Sequence, residues 1–125
     1  MEKAKVLEWA RCDWFQPKPS VKRKCFQGSD NITITMGVVA PGHPAGPHRH
    51  EYEQTIVILK GKCDFFVEDE KYTLSGEVEG GGISFMTIPP NALHWIENPY
   101  DEPVYNMDIF APKRTEDREQ SVPVR

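Results

Sequence analysis

"PGHPAGPHRHEYEQTIVILKGKC" spans residues 41–63 and changes character halfway along. Its first half is a Pro/Gly-rich turn carrying His43, His48 and His50; its second half is a strand-like apolar run that stops at Gly61. His48 and His50 are one residue apart, so on an extended chain both point to one face, about 6.6 Å apart. Two imidazoles at that separation can converge on one ion lying about 2.0–2.1 Å from each ring nitrogen. Gln54, Ile56 and Ile58 share the same parity, which puts ligands at the mouth of a barrel and apolar side chains deeper inside. His43 sits within the turn and reads as a surface histidine. Tyr52 shares the ligands' parity and is a candidate acid/base, although its place at the turn weighs against that role.

The rest of the chain has the same period of two. "NITITMGVV" (31–39) sets Ile32, Ile34 and Met36 against Thr33 and Thr35, the pattern of a strand with one apolar, buried face. "QTIVILKGKCDFFVEDEKYTL" reads as two or three strands, with Gly61 marking a tight turn and "EDE" (68–70) a hairpin. "ISFMTIPP" and "EPVYNMDIF" supply two more, and most of the eleven prolines and nine glycines fall between these runs. "LEWARCDWF" fits a short helix or an edge strand about equally. Short strands with punctuated turns indicate an all-β sandwich or barrel.

Composition bounds the function. One domain is expected for 125 residues. Three cysteines without a C-x-x-C pattern read as isolated thiols in a reducing compartment. A formal charge of −4 argues against nucleic acid or an anionic membrane as partner. The basic stretch "KPSVKRK" (18–24) reads as a solvated strand edge. Charges run through the N-terminal segment, and no apolar run approaches the roughly 20 residues of a membrane span, so a cytoplasmic location is expected.

A second histidine strengthens the metal reading. "FMTIPPNALHWIEN" places His94 after the turn "PPNA". Together the two segments resemble the paired motifs of the cupin family. Gly42, His48, His50, Gln54 and Gly61 fit the first motif position for position; Pro89, His94 and Asn98 fit the second. Asn91 replaces a glycine there, a mild departure because Asn tolerates the left-handed conformation, and Gly82 lies one residue too far upstream. The resemblance implies a double-stranded β-helix, or jelly roll, and one divalent ion (Zn, Ni, Fe or Mn) held by His48, His50, Gln54 and His94. Glutamine where many cupins carry glutamate leaves such a site one unit more positive. That favours proton transfer and carbonyl polarisation over oxygen activation.

The C-terminal strand contributes a carboxylate. Alternation in "PVYNMDIFAPKR" (103–114) puts Val104, Asn106, Asp108 and Phe110 on one face and Tyr105, Met107 and Ile109 on the other. The second set, larger and more apolar, is expected between the sheets or at a subunit contact, which leaves Asp108 facing either solvent or the barrel lumen, and periodicity alone favours solvent. "VKRK", the first motif, "IPPNALH" and "DIFAPKR" also resemble the KdgF group, small cupins that linearise unsaturated uronates. That resemblance implies substrate-handling roles for Asp108, Phe110 and Arg114, with Asp108 as acid/base and Arg114 binding a carboxylate through its guanidinium fork. Arg114 pairing with a surface carboxylate is an equally good reading. The insertion "SGEVEGGG" (75–82), the longer N-terminal arm, His43 and Trp95 depart from the group. Trp9 and Trp14 read as core or subunit-contact aromatics, and Trp95 alternates away from His94.

The expectation is therefore an arm or edge strand over 1–20, one barrel domain over 21–114 and a polar, frayed tail over 115–125. The protein should pair as a homodimer and use its ion to open or isomerise a small oxygenated carboxylate without redox change. A polyketide-cyclase-like aldol catalyst, a ferrous dioxygenase and a non-catalytic small-molecule binder are the rivals. Oxygen uptake would separate the dioxygenase from the rest.

Overall fold

A computed structural model describes residues 3–26 and 31–112. Among them a single 3₁₀ turn, Trp9–Arg11, precedes nine strands. These are β1 (Phe15–Lys18), β2 (Val21–Phe26), β3 (Thr33–Val39), β4 (Glu53–Lys60), β5 (Lys62–Val67), β6 (Glu70–Ser75), β7 (Phe85–Ile88), β8 (His94–Glu97) and β9 (Val104–Ala111). They form two antiparallel sheets, ordered β1-β2-β3-β9-β4-β7 and β6-β5-β8. This is the expected all-β jelly roll. No helix of the described residues is long and apolar enough to cross a membrane, and Cys12, Cys25 and Cys63 are buried thiols outside any disulfide.

Turn chemistry sets the register. Gly61, between β4 and β5, has φ +85°, and a Cβ there would lie 2.6 Å from the Pro103 carbonyl oxygen. Only glycine meets both demands without strain. Asn91 also adopts positive φ, at 67°, which is why it serves where the motif has glycine. Between the sheets, Ile58, Ile88, Val104 and Cys63 are fully buried and Ile56, Phe65 and Val39 nearly so. Each such aliphatic side chain contributes roughly 1.5–3 kcal/mol on leaving water.

The inner face of the larger sheet is more polar than the alternation suggested. Cross-strand register lines up Arg23, Gly37, Asn106 and Ile58 in one row, and Cys25, Thr35, Asp108 and Ile56 in the next. A third row holds Thr33, Phe110, Gln54 and Ile88. Thr33 and Thr35 are therefore the buried side of β3, while Ile34 and Met36 are half-buried on the outer face. The same inversion corrects Asp108, which faces the barrel interior rather than solvent. Tyr105, Met107 and Ile109 occupy the outer face of β9, half-buried. An interior that carries polar chemistry cannot also be the more apolar face.

"KPSVKRK" is a solvated edge only in part: Lys18, at the end of the edge strand β1, and Lys22 are exposed. β2 is the second strand of its sheet, and Lys24 is only 3% exposed. Its ammonium donates to the Trp9 carbonyl and lies 4.4 Å from the Trp14 ring centre. The N-terminal segment thus passes over the outer face of β2 before entering β1 as the edge strand.

Candidate metal centre

Three imidazoles meet at one end of the barrel. His48 and His50 lie in the loop before β4 rather than on a regular strand, and His94 opens β8. His48 and His94 face each other in a reciprocal backbone pair: each amide donates to the other's carbonyl, at 3.1 and 3.0 Å. The Asn91 amide donates to the His50 carbonyl at 2.8 Å, which ties the two loops together a second time. Asn98 holds the base of the arrangement. Its Nδ2 donates to the carbonyls of Val39 and Glu102, and its Oδ1 accepts from the Tyr100 amide.

In each ring Nδ1 lies against a carbonyl two residues away: Gly46 for His48 at 2.9 Å, Tyr52 for His50 at 3.2 Å and Ala92 for His94 at 2.9 Å. These contacts select the Nδ1–H tautomer and turn Nε2, with its lone pair, towards the common centre. The ligand-capable nitrogens lie within 4.8 Å of one another. Exposure falls inward, from exposed His48 through half-buried His50 to His94 at 1%. His94 Nε2 is buried without a hydrogen-bond partner among the described residues. Burial pushes the His94 pKa down to about 4, against the opposing hydrogen bond to Ala92, and the other two histidines lower it further. A neutral, buried, partnerless ring nitrogen is what a metal ligand needs and what an unliganded core would avoid.

Gln54 completes the set. Its Oε1 lies 2.9 Å from His50 Nε2, and its Nε2 donates to Asp108 Oδ1 at 3.0 Å. With His50 protonated at Nδ1, two lone pairs face each other across that 2.9 Å, an arrangement that suits two ligands sharing one cation. Asp108 also accepts from Asn106 Nδ2 at 2.9 Å and from Thr35 Oγ1 at 3.4 Å. Phe110, 3% exposed, packs edge-on against His50 with ring centres 5.6 Å apart. The donor set, three neutral imidazoles and an amide oxygen, fits a borderline divalent ion.

A cavity of about 150 Å³ opens onto these groups, with Gln54, Asp108, Phe110 and all three histidines in its walls. Arg114 lies outside the described residues, as does the tail after it. Tyr52 is buried, its ring 5.3 Å from His50, but does not line the cavity. Trp95 stacks on Phe66, away from the Phe65 ring that faces His94. His43, expected at the surface, is 7% exposed and lines the cavity, its Nδ1 2.6 Å from Ser20 Oγ. Burial first, then Lys18 and Arg23, lower its pKa, against an opposing contribution from Glu97. Sequence reasoning also missed Lys18, Arg23 and Asn106 in the cavity wall; the shared parity of Arg23 with Val21 and Cys25 was the available signal.

Comparison with known proteins agrees with the motifs. A family model described as Cupin domain matches residues 35–110. The pectin degradation protein KdgF of Dickeya dadantii (strain 3937) is 26% identical over 104 residues, 82% of this chain and 88% of that protein. KdgF from Halomonas sp. superimposes with a TM-score of 0.76 at 20% identity, over 91% of this chain and 98% of that one. An RmlC-like cupin from Shewanella frigidimarina NCIMB 400 gives 0.75 at 15% identity, over 93% and 98%. These structural likenesses speak to the fold, and the family model spans most of the barrel from β3 to β9. By motif, architecture and family match together, the chain belongs to the cupin family.

Proposed function

We propose that this cupin is a metal-dependent enzyme that opens the ring of an unsaturated uronate, a non-redox isomerisation. The observation that carries this reading is the Gln54 amide, whose oxygen faces the histidine group while its nitrogen is held by Asp108. It couples a cation site directly to a carboxylate that faces the cavity. The similarity to pectin degradation protein KdgF supports the substrate class.

A divalent ion on His48, His50, His94 and Gln54 would polarise a substrate oxygen as a Lewis acid. Asp108 serves as the proton-transfer group. It takes the proton of the anomeric hydroxyl as the ring carbon–oxygen bond breaks. The electron pair of that bond stays with the ring oxygen, and the resulting enolate takes the proton back from Asp108 at its neighbouring carbon. The product is a linear keto-aldehyde with the substrate's own atoms and oxidation level. Phe110 walls the reacting face against water, and Asn106 and Thr35 orient the carboxylate.

The test follows loss of the conjugated ultraviolet absorbance of an unsaturated monouronate with metal-loaded wild type and His94→Ala. Rapid loss confined to wild type is expected. No loss above background, with metal content confirmed, would sink the uronate assignment.

A further inference from the structure

The cavity has two unlike walls. Asp108, Gln54 and the three imidazoles line one, and the far end of the larger sheet brings Lys18 from β1 and Arg23 from β2 to the other. Neither cation makes an ion pair among the described residues. The Lys18 ammonium reaches over the turn before His48, where a Cβ on Gly46 would lie 3.4 Å from Nζ. Arg23 is half-buried and sits directly across from Gly37. Gly37 has no side chain on the inner face, and the Asn106 amide leans over it: a Cβ there would come within 2.9 Å of Asn106 Oδ1. Arg23 and Asn106 therefore border the cavity from the two strands that flank Gly37.

Asn106 adds an independent signal. It is 6% exposed, its Nδ2 donates to Asp108, and its Oδ1 is buried with no hydrogen-bond partner. A buried acceptor of this kind costs roughly 1–3 kcal/mol unless something donates to it. His43 stands beside both cations and feels them electrostatically, along with Glu97; Glu97 Oε2 is engaged by Trp95 Nε1 at 2.8 Å.

We infer that Lys18 and Arg23 form an anion subsite that binds the carboxylate of a hydroxy-acid substrate, with Asn106 Oδ1 accepting a hydroxyl from the same molecule. The inference rests on the proposed substrate class and deepens it: the acid group is gripped on the β1–β2 wall, so the hydroxylated end faces the histidines and Asp108. Arg23 is the specificity-determining residue, since a planar guanidinium matches a carboxylate's two oxygens. Lys18, exposed and flexible, adds attraction at the mouth.

The experiment compares binding of galacturonate with that of galactose, a neutral sugar with the same ring, by calorimetry on the metal-loaded protein. Wild type should prefer galacturonate, and Arg23→Gln should weaken galacturonate binding about tenfold or more while leaving galactose unchanged. Lys18→Met should cost a few-fold, and being at an exposed position it tests the subsite even if Arg23→Gln folds poorly. Galacturonate binding no tighter than galactose in wild type, or unaltered by both substitutions, overturns the inference. The enzymatic reading fails separately. Absent turnover with Arg23-dependent acid preference sinks the activity and keeps the subsite, whereas normal turnover in Arg23→Gln with an unchanged KM sinks the subsite and keeps the activity.

Discussion

Replacing Gln54 by glutamate tests the amide bridge at its weakest point. The wild-type Gln54 nitrogen stands 3.0 Å from Asp108 Oδ1 as a donor; a carboxylate there would place two negative oxygens at that distance. At an effective dielectric of 20 the repulsion is about 5 kcal/mol, so the metal-free variant relieves it by holding a proton between the two carboxyls. The unfolded chain has no such pair and releases that proton once the pH exceeds the ordinary carboxyl range. Folded Gln54→Glu thus binds more protons than its unfolded state, and its stability falls as the pH rises towards neutrality. One proton gives about 1.4 kcal/mol per pH unit, roughly 4–6 °C in Tm for a chain of this size. Thermal melts of chelator-treated wild type and variant between pH 4.5 and 7 read this directly. The gap in Tm should widen with every unit of pH and close when Asp108→Asn is added, because an amide can again donate across the contact. A gap that stays constant across the range would refute the bridge.

Acid should act on the metal-free wild type through His94. Its folded pKa lies near 4 while the unfolded imidazole titrates near 6.5, so its contribution is complete above 6.5 and is lost as the pH falls towards 4. The limit is about 3 kcal/mol, readable as the difference in denaturant midpoint between wild type and His94→Gln at pH 7 and pH 5. His94→Ala should weaken zinc binding by more than the roughly 10–100-fold that changing a ligand's supporting partner costs, as measured by chelator competition; a smaller loss would remove His94 from the ligand set. Gly61→Ala should destabilise by about 3 kcal/mol or more, whereas Gly80→Ala should cost about 1. Both have positive φ, but only Gly61 meets a backbone oxygen, and equal midpoints would refute the clash. Burial, with Asp64 and Asp108 nearby, pushes the Cys63 thiol up to about 12. Native protein at pH 8 should therefore leave Cys63 unalkylated by iodoacetamide for as long as it stays folded, as peptide mass mapping would show.

The meeting of the three imidazoles was legible because each sits at a fixed offset from a turn: His48 and His50 ahead of β4, His94 behind Asn91. Strand positions were legible because period two survives whichever face is buried. The choice of face was not. Periodicity identifies two faces and assigns the more apolar one to the interior, and on β3 and β9 that rule picked Ile34, Met36, Tyr105 and Met107 over Thr33, Thr35, Asn106 and Asp108. Inside this barrel Thr35 Oγ1 and Asn106 Nδ2 both donate to Asp108, which offsets part of what burying them costs. No single-strand pattern carries that information, because the partners lie on β3, β4 and β9. Arg23 escaped notice for the related reason that a charged residue beside Lys22 and Lys24 looks like one more solvated cation. His43 looked like a loop residue, and only the fold brings Ser20 to its ring.

The reciprocal pairing of His48 with His94 also sets a clock. Two imidazoles cannot swing apart independently when their own backbones are cross-linked at both amides. Anything gripped between these rings departs through a collective opening of the two loops. Its residence time is then governed by how often that opening occurs, and amide hydrogen exchange at positions 48 and 94 would keep the same time.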